Sequence, residues 1–395
     1  MTTAALPTEQ RLLHFPGLPP LTLYVHLPWC VRKCPYCDFN SYEARGAVAD
    51  VAYVESVLRD LRSELPQAAG RPVEAVFIGG GTPSLFSGDA IARLLDGVRS
   101  ALTLAPHAEI TLEANPGASD AARFAAFRAA GVNRLSIGIQ SFRDAELRAL
   151  GRVHDAAAAR AAVTAARAAG FDNFNIDLMY GLPGHDAEGE LADLEQGLAL
   201  GPAHLSWYQL TIEPNTAFAH RPPRLPDDDL VADVEERGRA LLAAAGYARY
   251  EISAYARGGR QCAHNLNYWQ FGDYLGVGAG AHGKITLPEE GAIERRAKTR
   301  NPRTFAEQAG SPAAVSCERI DAPRQAALEF LLNALRLVEG VDAQLFTARA
   351  GQPLTAIGPA RSAAVARGWL APDADALRAT PPGIDRLNRL LELFA

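Results

Sequence analysis

A basic excess is missing from this chain: 39 Lys and Arg stand against 45 Asp and Glu, a formal charge of -6. Nucleic acid and anionic membrane surfaces are therefore not expected partners. Long apolar runs are missing too. No uninterrupted stretch approaches the roughly 20 residues of a membrane helix, and Met1 to Phe15 lack a basic segment followed by an apolar core. A cytoplasmic protein is expected. Cysteine is scarce, and five in a long chain cannot be the disulfide framework of a secreted domain. The composition, 48% hydrophobic and 21% charged, excludes disordered and collagen-like chains. The length suits one large domain plus a smaller one, or two to three compact ones.

What is present is rhythm. Leu21–Leu27, Ala75–Gly81, Glu109–Asn115, Arg134–Gln140, Asn173–Gly181 and His204–Glu213 read as six buried strands. Amphipathic stretches separate or follow them at Val48–Leu65, Asp89–Leu102, Asp120–Ala130, Ala156–Ala169, Glu188–Leu200 and Asp228–Ala245. Parallel neighbours need crossover connections, so the repetition predicts a parallel α/β sheet, either doubly wound or an incomplete βα barrel. After the Pro-rich Pro222–Pro226 the rhythm changes, with a short aromatic strand at Tyr250–Tyr255, a Gly-rich segment at Gly272–Gly283 and an amphipathic helix at Asp321–Val338. The expected division is 1–240, 241–300 and 301–395, the last a small, mainly helical domain with the outline of a winged helix. Its arginines are offset by acids and it has no Lys, which favours a structural or docking role over nucleic-acid binding.

Three cysteines crowd together at the end of the first strand: Cys30-Val-Arg-Lys-Cys34-Pro-Tyr-Cys37. Three thiolates on one loop can hold three irons of a cubane cluster and leave the fourth open to another ligand. A zinc site is the plainer reading, but zinc generally closes its tetrahedron with a fourth Cys or His at a characteristic spacing. Gly79-Gly80-Gly81-Thr82-Pro83 ends the second strand, where glycines let a backbone approach a ligand or simply turn. Glu113, Gln140 and Asp177 are polar groups at the ends of the third, fourth and fifth strands, the rim at which a βα barrel keeps its site. Arg152 follows Gln140 in the next connection, placed either for a carboxylate or for a surface acid.

With these residues in view, the chain resembles the radical S-adenosylmethionine (SAM) superfamily, whose members hold a [4Fe-4S] cluster on this cysteine spacing. Tyr24-Val-His-Leu-Pro-Trp-Cys30, Glu113-Ala-Asn-Pro, Asn133-Arg-Leu-Ser-Ile-Gly-Ile-Gln-Ser and Ile176-Asp-Leu-Met-Tyr-Gly-Leu-Pro-Gly narrow the likeness to the branch holding oxygen-independent coproporphyrinogen III oxidase and the heme chaperones of the HemW family. The resemblance runs from about Leu21 to Gly283. It implies an incomplete parallel (β/α)6 barrel, cluster ligation by Cys30, Cys34 and Cys37, and SAM contacts from Tyr24, Tyr36, Gly80, Gly81, Thr82, Glu113, Gln140, Arg152 and Asp177, with Thr211 a weaker candidate.

Two features separate the two kinds of protein. The oxidases carry a further cysteine two residues after the third ligand, where this chain has Phe39. His264-Asn-Leu-Asn-Tyr-Trp269 is similar to the H-N-x-x-Y-W motif of the chaperones. Physically, a His beside Tyr268 and Trp269 offers either an axial nitrogen near flat rings, as a heme would use, or an ordinary core histidine in an aromatic cluster. Cys262, two residues earlier, reads as a buried free thiol because no orienting carboxylate lies at a recognisable spacing. The resemblance thus implies heme as cargo, a heme donor, acceptor apo-hemoproteins such as respiratory cytochromes, and an electron donor if SAM is cleaved; the sequence does not set the oligomeric state, although a shared cluster or bound heme could promote a dimer. The competing expectation is an enzyme, the oxidase itself, decarboxylating propionate side chains.

Overall fold

The computed structural model describes residues 12–46, 48–117 and 121–395; Met1 to Arg11 and Asp120, the expected start of the third helix, lie outside them. The apolar strands assemble at the positions their patterns dictate. β1 (Leu21–Leu27), β2 (Val73–Gly80), β3 (Leu104–Ala114), β4 (Arg134–Gln140), β5 (Phe174–Tyr180) and β6 (His204–Gln209) pair side by side and in parallel. Helices Asp50–Ala68, Gly88–Ala101, Ala121–Ala130, Ala156–Ala168 and Ala187–Ala199 cross between them, and Asp228–Ala244 follows β6. Four of these helices start on a side chain that accepts from a backbone N–H three residues on: Ser87, Asp155, Asp186 and Asp227. Such caps satisfy donors the helix cannot, which is why the starts lie so close to those read from sequence.

The sheet extends further than six strands. β7 (Ala248–Arg249) and β8 (Ala254–Ala256) add antiparallel beyond β6, so the expected strand at Tyr250–Tyr255 is displaced toward its end. On the other side β9 (Asp273–Val277) pairs in parallel with β1, followed by antiparallel β10 (His282–Leu287), β11 (Ala292–Lys298) and β12 (Val315–Ile320). The order is β12-β11-β10-β9-β1-β2-β3-β4-β5-β6-β8-β7, an incomplete barrel whose two edge strands, β12 and β7, have no further partner among the described residues. β9 is hidden in sequence by Gly276 and by Gly278 just past its end, and packing explains both: a Cβ on Gly276 would lie 1.9 Å from the His282 carbonyl oxygen, and on Gly278 2.3 Å from that of His26.

One apolar core fills the space between the strands and their helices, from Leu23 and Val25 through Ile78, Leu112, Ile137 and Ile176. Buried ion pairs fasten the extension to it. Lys298 reaches Asp60 at 2.7 Å and Glu64 at 2.5 Å, while Asp273 takes Lys284 at 2.9 Å and Arg71 at 2.7 Å. A second core joins Phe271 and Ile320 to the C-terminal helices Pro323–Ala334, Ala343–Ala350 and Gly358–Ala366, which carry a short antiparallel ladder between Val341–Asp342 and Ala376–Leu377. No helix among the described residues is long and apolar enough to cross a membrane.

Candidate functional site

The carboxyl ends of β1 to β6 open on one cavity of about 440 Å³. Its walls bring together Cys30, Cys34 and Cys37, the Gly80-Gly81-Thr82 turn, Tyr36, Glu113, Gln140, Arg152, Asp177 and Thr211. Tyr24 lies behind that turn and lines an adjoining, larger chamber. The cysteines come from one short loop, fixed at its ends by a two-residue parallel ladder, Trp29–Cys30 against Tyr42–Glu43. Burial pushes the Cys30 and Cys37 thiols up. A coordinating iron reverses that preference, since bound thiols lose their protons.

Each strand end is held by a specific contact. Gly80 donates its N–H to Glu113 Oε2 at 3.0 Å. Its φ of +118° suits glycine alone, and a Cβ there would sit 2.7 Å from the His26 ring. Arg152 donates to Gly138 O at 2.6 Å and to Asn115 Oδ1 at 2.7 Å, and its Nη1 lies 3.7 Å from Cys34 Sγ. Asn115 in turn donates to Thr82 Oγ1 at 2.8 Å. Gln140 is held at φ +71°, a costly conformation for this residue type, by a hydrogen bond from the Tyr208 hydroxyl at 2.9 Å. Asp177 accepts from Asn175 at 2.7 Å and Ser136 at 3.3 Å, while Thr211 bonds Glu213 at 2.8 Å. Burial and the charge of Asp177 push the Glu113 carboxyl up to about 8 against the Gly80 N–H. Asp177 is raised as well, chiefly by burial.

The HNxxYW segment is placed differently. It forms the helix Ala263–Trp269, with His264 buried beneath the chamber. The His264 ring stacks on Phe77 at 4.1 Å and 12°, and its Nδ1 lies 3.1 Å from Glu109 and 3.0 Å from Cys262 Sγ. Tyr268 lines the chamber, whereas Trp269 turns toward the C-terminal core under the Arg336 guanidinium, 4.4 Å from its ring centroid. Cys262 is buried, and the carboxylate missing from its sequence neighbourhood is supplied by Glu109 of β3. Sequence reasoning missed this partnership across 153 residues, along with Asn115 as the bridge between Arg152 and Thr82. The Glu-Ala-Asn-Pro motif carried the signal for Asn115; Glu109 had none.

Comparison with known proteins gives this geometry a family. Residues 24–194 match the radical SAM superfamily and residues 321–386 match the HemN C-terminal domain. The chain is 52% identical over 377 residues to the protein named heme chaperone HemW of Escherichia coli (strain K12), covering 95% of this chain and 98% of that one. It belongs to the HemW family of radical SAM proteins. The heme chaperone HemW of Haemophilus influenzae is 47% identical over 383 residues, covering 96% and 99% of the two chains. A mouse mitochondrial radical S-adenosyl methionine domain-containing protein is 43% identical over 280 residues, 70% of this chain and 63% of its own. Among solved structures, the coproporphyrinogen III oxidase HemN of Escherichia coli superposes with a TM-score of 0.80 over 95% of this chain and 90% of that one. At 23% identity this likeness establishes a shared fold.

The radical SAM family implies a [4Fe-4S] cluster and SAM. The cavity fits both. It offers three thiols with no fourth Cys or His at the loop among the described residues, the Gly80-Gly81 turn on its wall, and carboxylates and a guanidinium suited to amino and carboxylate groups. Arg152 Nε is buried there without a hydrogen-bond partner.

Proposed function

We propose that this chain is a heme chaperone that binds heme, a [4Fe-4S] cluster and SAM, and passes heme to acceptor apo-hemoproteins such as respiratory cytochromes. The observation that carries the reading is the juxtaposition of two cavities: the cysteine-lined one and a chamber of about 920 Å³ walled by Tyr24, Phe77, Tyr268 and Tyr274, with Phe39, Gly80 and Glu113 lining both. The second lies within the range of cofactor-sized sites and presents flat rings to a flat cargo.

In this reading Cys30, Cys34 and Cys37 ligate the cluster. When bound, the cluster and SAM supply one-electron chemistry that the protein itself lacks. The chain's own residues position and exclude. Arg152 sets the Cys34 side of the loop, Gly80 and Gly81 offer backbone to SAM, and Glu113 with Asp177 accept from its amino and hydroxyl groups. Phe39, 57% exposed, stands as an apolar residue where the oxidases have cysteine. Cytoplasmic heme donors and acceptors, and an electron donor if SAM is cleaved, would meet the protein at this open rim.

The test is anaerobic reconstitution with iron and sulfide, optical titration with heme, and transfer to an apo-cytochrome. Stoichiometric heme binding followed by appearance of the holo-cytochrome supports a chaperone. Sustained carbon dioxide release from coproporphyrinogen, with stoichiometric 5′-deoxyadenosine and no heme transfer, would make the protein an oxidase instead.

A further inference from the structure

The larger chamber offers nitrogen donors of unequal availability. Two described histidines line it, His26 and His282. Both nitrogens of the His26 ring are engaged, Nδ1 by the Tyr24 hydroxyl at 2.7 Å and Nε2 by the Asn40 carbonyl oxygen at 2.9 Å. The ring is also buried against Gly80. His282 heads β10, remains solvent-exposed, and its ring has no hydrogen-bond partner among the described residues. Partial desolvation and the charges of the neighbouring Arg295 and Arg300 lower His282 from its ordinary value, which favours the neutral ring with a free lone pair. His264 lines no part of the chamber: Phe77 covers its ring, and Glu109 and Cys262 occupy its Nδ1 side.

The cations divide in the same way. Lys298 lines the chamber but is neutralised by Asp60 and Glu64. Arg300, at the chamber's edge, is exposed and pairs with no carboxylate among the described residues; its guanidinium contacts only Asn40 Oδ1, at 3.4 Å. A guanidinium so placed suits a ligand carboxylate. The walls are flat rings, Tyr24 stacked with Phe77 at 5.6 Å and 25°, and Tyr268 edge-on to Tyr274 at 4.8 Å.

We propose that the chamber is the heme seat, that His282 supplies the axial nitrogen, and that Arg300 receives a propionate. His264 of the HNxxYW segment then acts as a wall support that fixes Phe77, not as an iron ligand. This rests on the heme-chaperone reading and sharpens it to named residues. The bond is a donation of the neutral imidazole lone pair to iron, with no electron or proton transferred.

The experiment is titration of the full-length, cluster-reconstituted protein with hemin, followed in the Soret region, for wild type, His282→Ala, His264→Gln and Arg300→Gln. Iron and sulfide content and circular dichroism serve as folding controls. His282→Ala should bind about tenfold or more weakly with a shifted Soret band, and added imidazole should restore the wild-type spectrum. Arg300→Gln should weaken binding about three- to tenfold without shifting the band. His264→Gln should keep the wild-type spectrum. If His264→Gln loses the band while His282→Ala retains it, the seat proposed here is wrong and the chaperone reading stands. If folded wild type binds no hemin, the chaperone reading itself fails.

Discussion

Glu109 and Glu113 sit four residues apart on one face of β3, and the structure gives them opposite chemistry. At the closed end, burial pushes the Glu109 carboxyl up. Its hydrogen bond from His264 and the charge of Arg134 outweigh this and hold it at about 2. At the open end Glu113 faces Asp177, makes no ion pair among the described residues, and is pushed up to about 8. The cysteines divide along the same line, Cys262 sealed beside Glu109 and Cys30, Cys34 and Cys37 on the cavity wall. The barrel interior therefore has two layers built from the same residue types. The sealed layer pairs Glu109 with His264 at 3.1 Å and with Arg134 at 3.7 Å and contributes to stability. The open layer turns its groups to one cavity, where the proposed function needs them.

The largest effect that separates the layers is cluster retention. Cys34→Ser should leave anaerobically reconstituted protein nearly free of iron and sulfide, whereas Cys262→Ser should retain the full complement. Equal loss in both variants would erase the distinction between the layers. Next comes Glu109→Ala, which strips a buried guanidinium and His264 of their carboxylate. Breaking such a pair costs about 3–5 kcal/mol, read as a lowered denaturant midpoint at pH 7. The folded carboxyl lies below its ordinary value of 4.5, so its stabilisation is present above about 4.5 and is lost as pH falls toward about 2. A wild-type acid limb that stays unchanged in Glu109→Gln would show that this carboxyl carries none of it.

The open layer was largely legible in sequence and the sealed one was not. Cys30, Cys34 and Cys37 lie within eight residues, and Glu113, Gln140 and Asp177 each interrupt an apolar strand near its end, so local pattern alone exposed them. The six parallel strands were legible for the same reason, since β-branched and apolar runs alternate with capped helices. Glu109 was visible only as the first residue of an expected strand, and two of its partners, Cys262 and His264, lie more than 150 residues away. Nothing in spacing can report such a contact, because tertiary packing creates it. β9 was obscured by the opposite effect: Gly276 and Gly278 just past its end argue locally for a loop, while the close approach of β1 and β10 requires them. For His264 the sequence left a heme contact and an ordinary core histidine both open, and its stack on Phe77 of β2 is a tertiary contact that its neighbours in sequence do not report.

The smallest effect is the most direct contrast with Glu109. The folded Glu113 carboxyl lies above its ordinary 4.5, so the ligand-free protein keeps its full stability below about 4.5 and loses some as pH rises toward about 8. Glu113→Gln keeps an oxygen for the Gly80 N–H and removes the charge that faces Asp177. It should stabilise the protein by about 1–2 kcal/mol at pH 8.5, less than the full shift implies because Glu113 lines a cavity where water screens it, and by almost nothing at pH 4.5. The two glutamates then give stability curves of opposite slope on either side of about pH 4.5. The same variant should weaken SAM binding most at and above about pH 8, where the carboxylate proposed to meet the ligand is already ionised. If Glu113→Gln instead destabilised the protein equally at both pH values and left SAM affinity unchanged, Glu113 would belong with Glu109 in the supporting layer, and the line between the layers would have to be drawn above it.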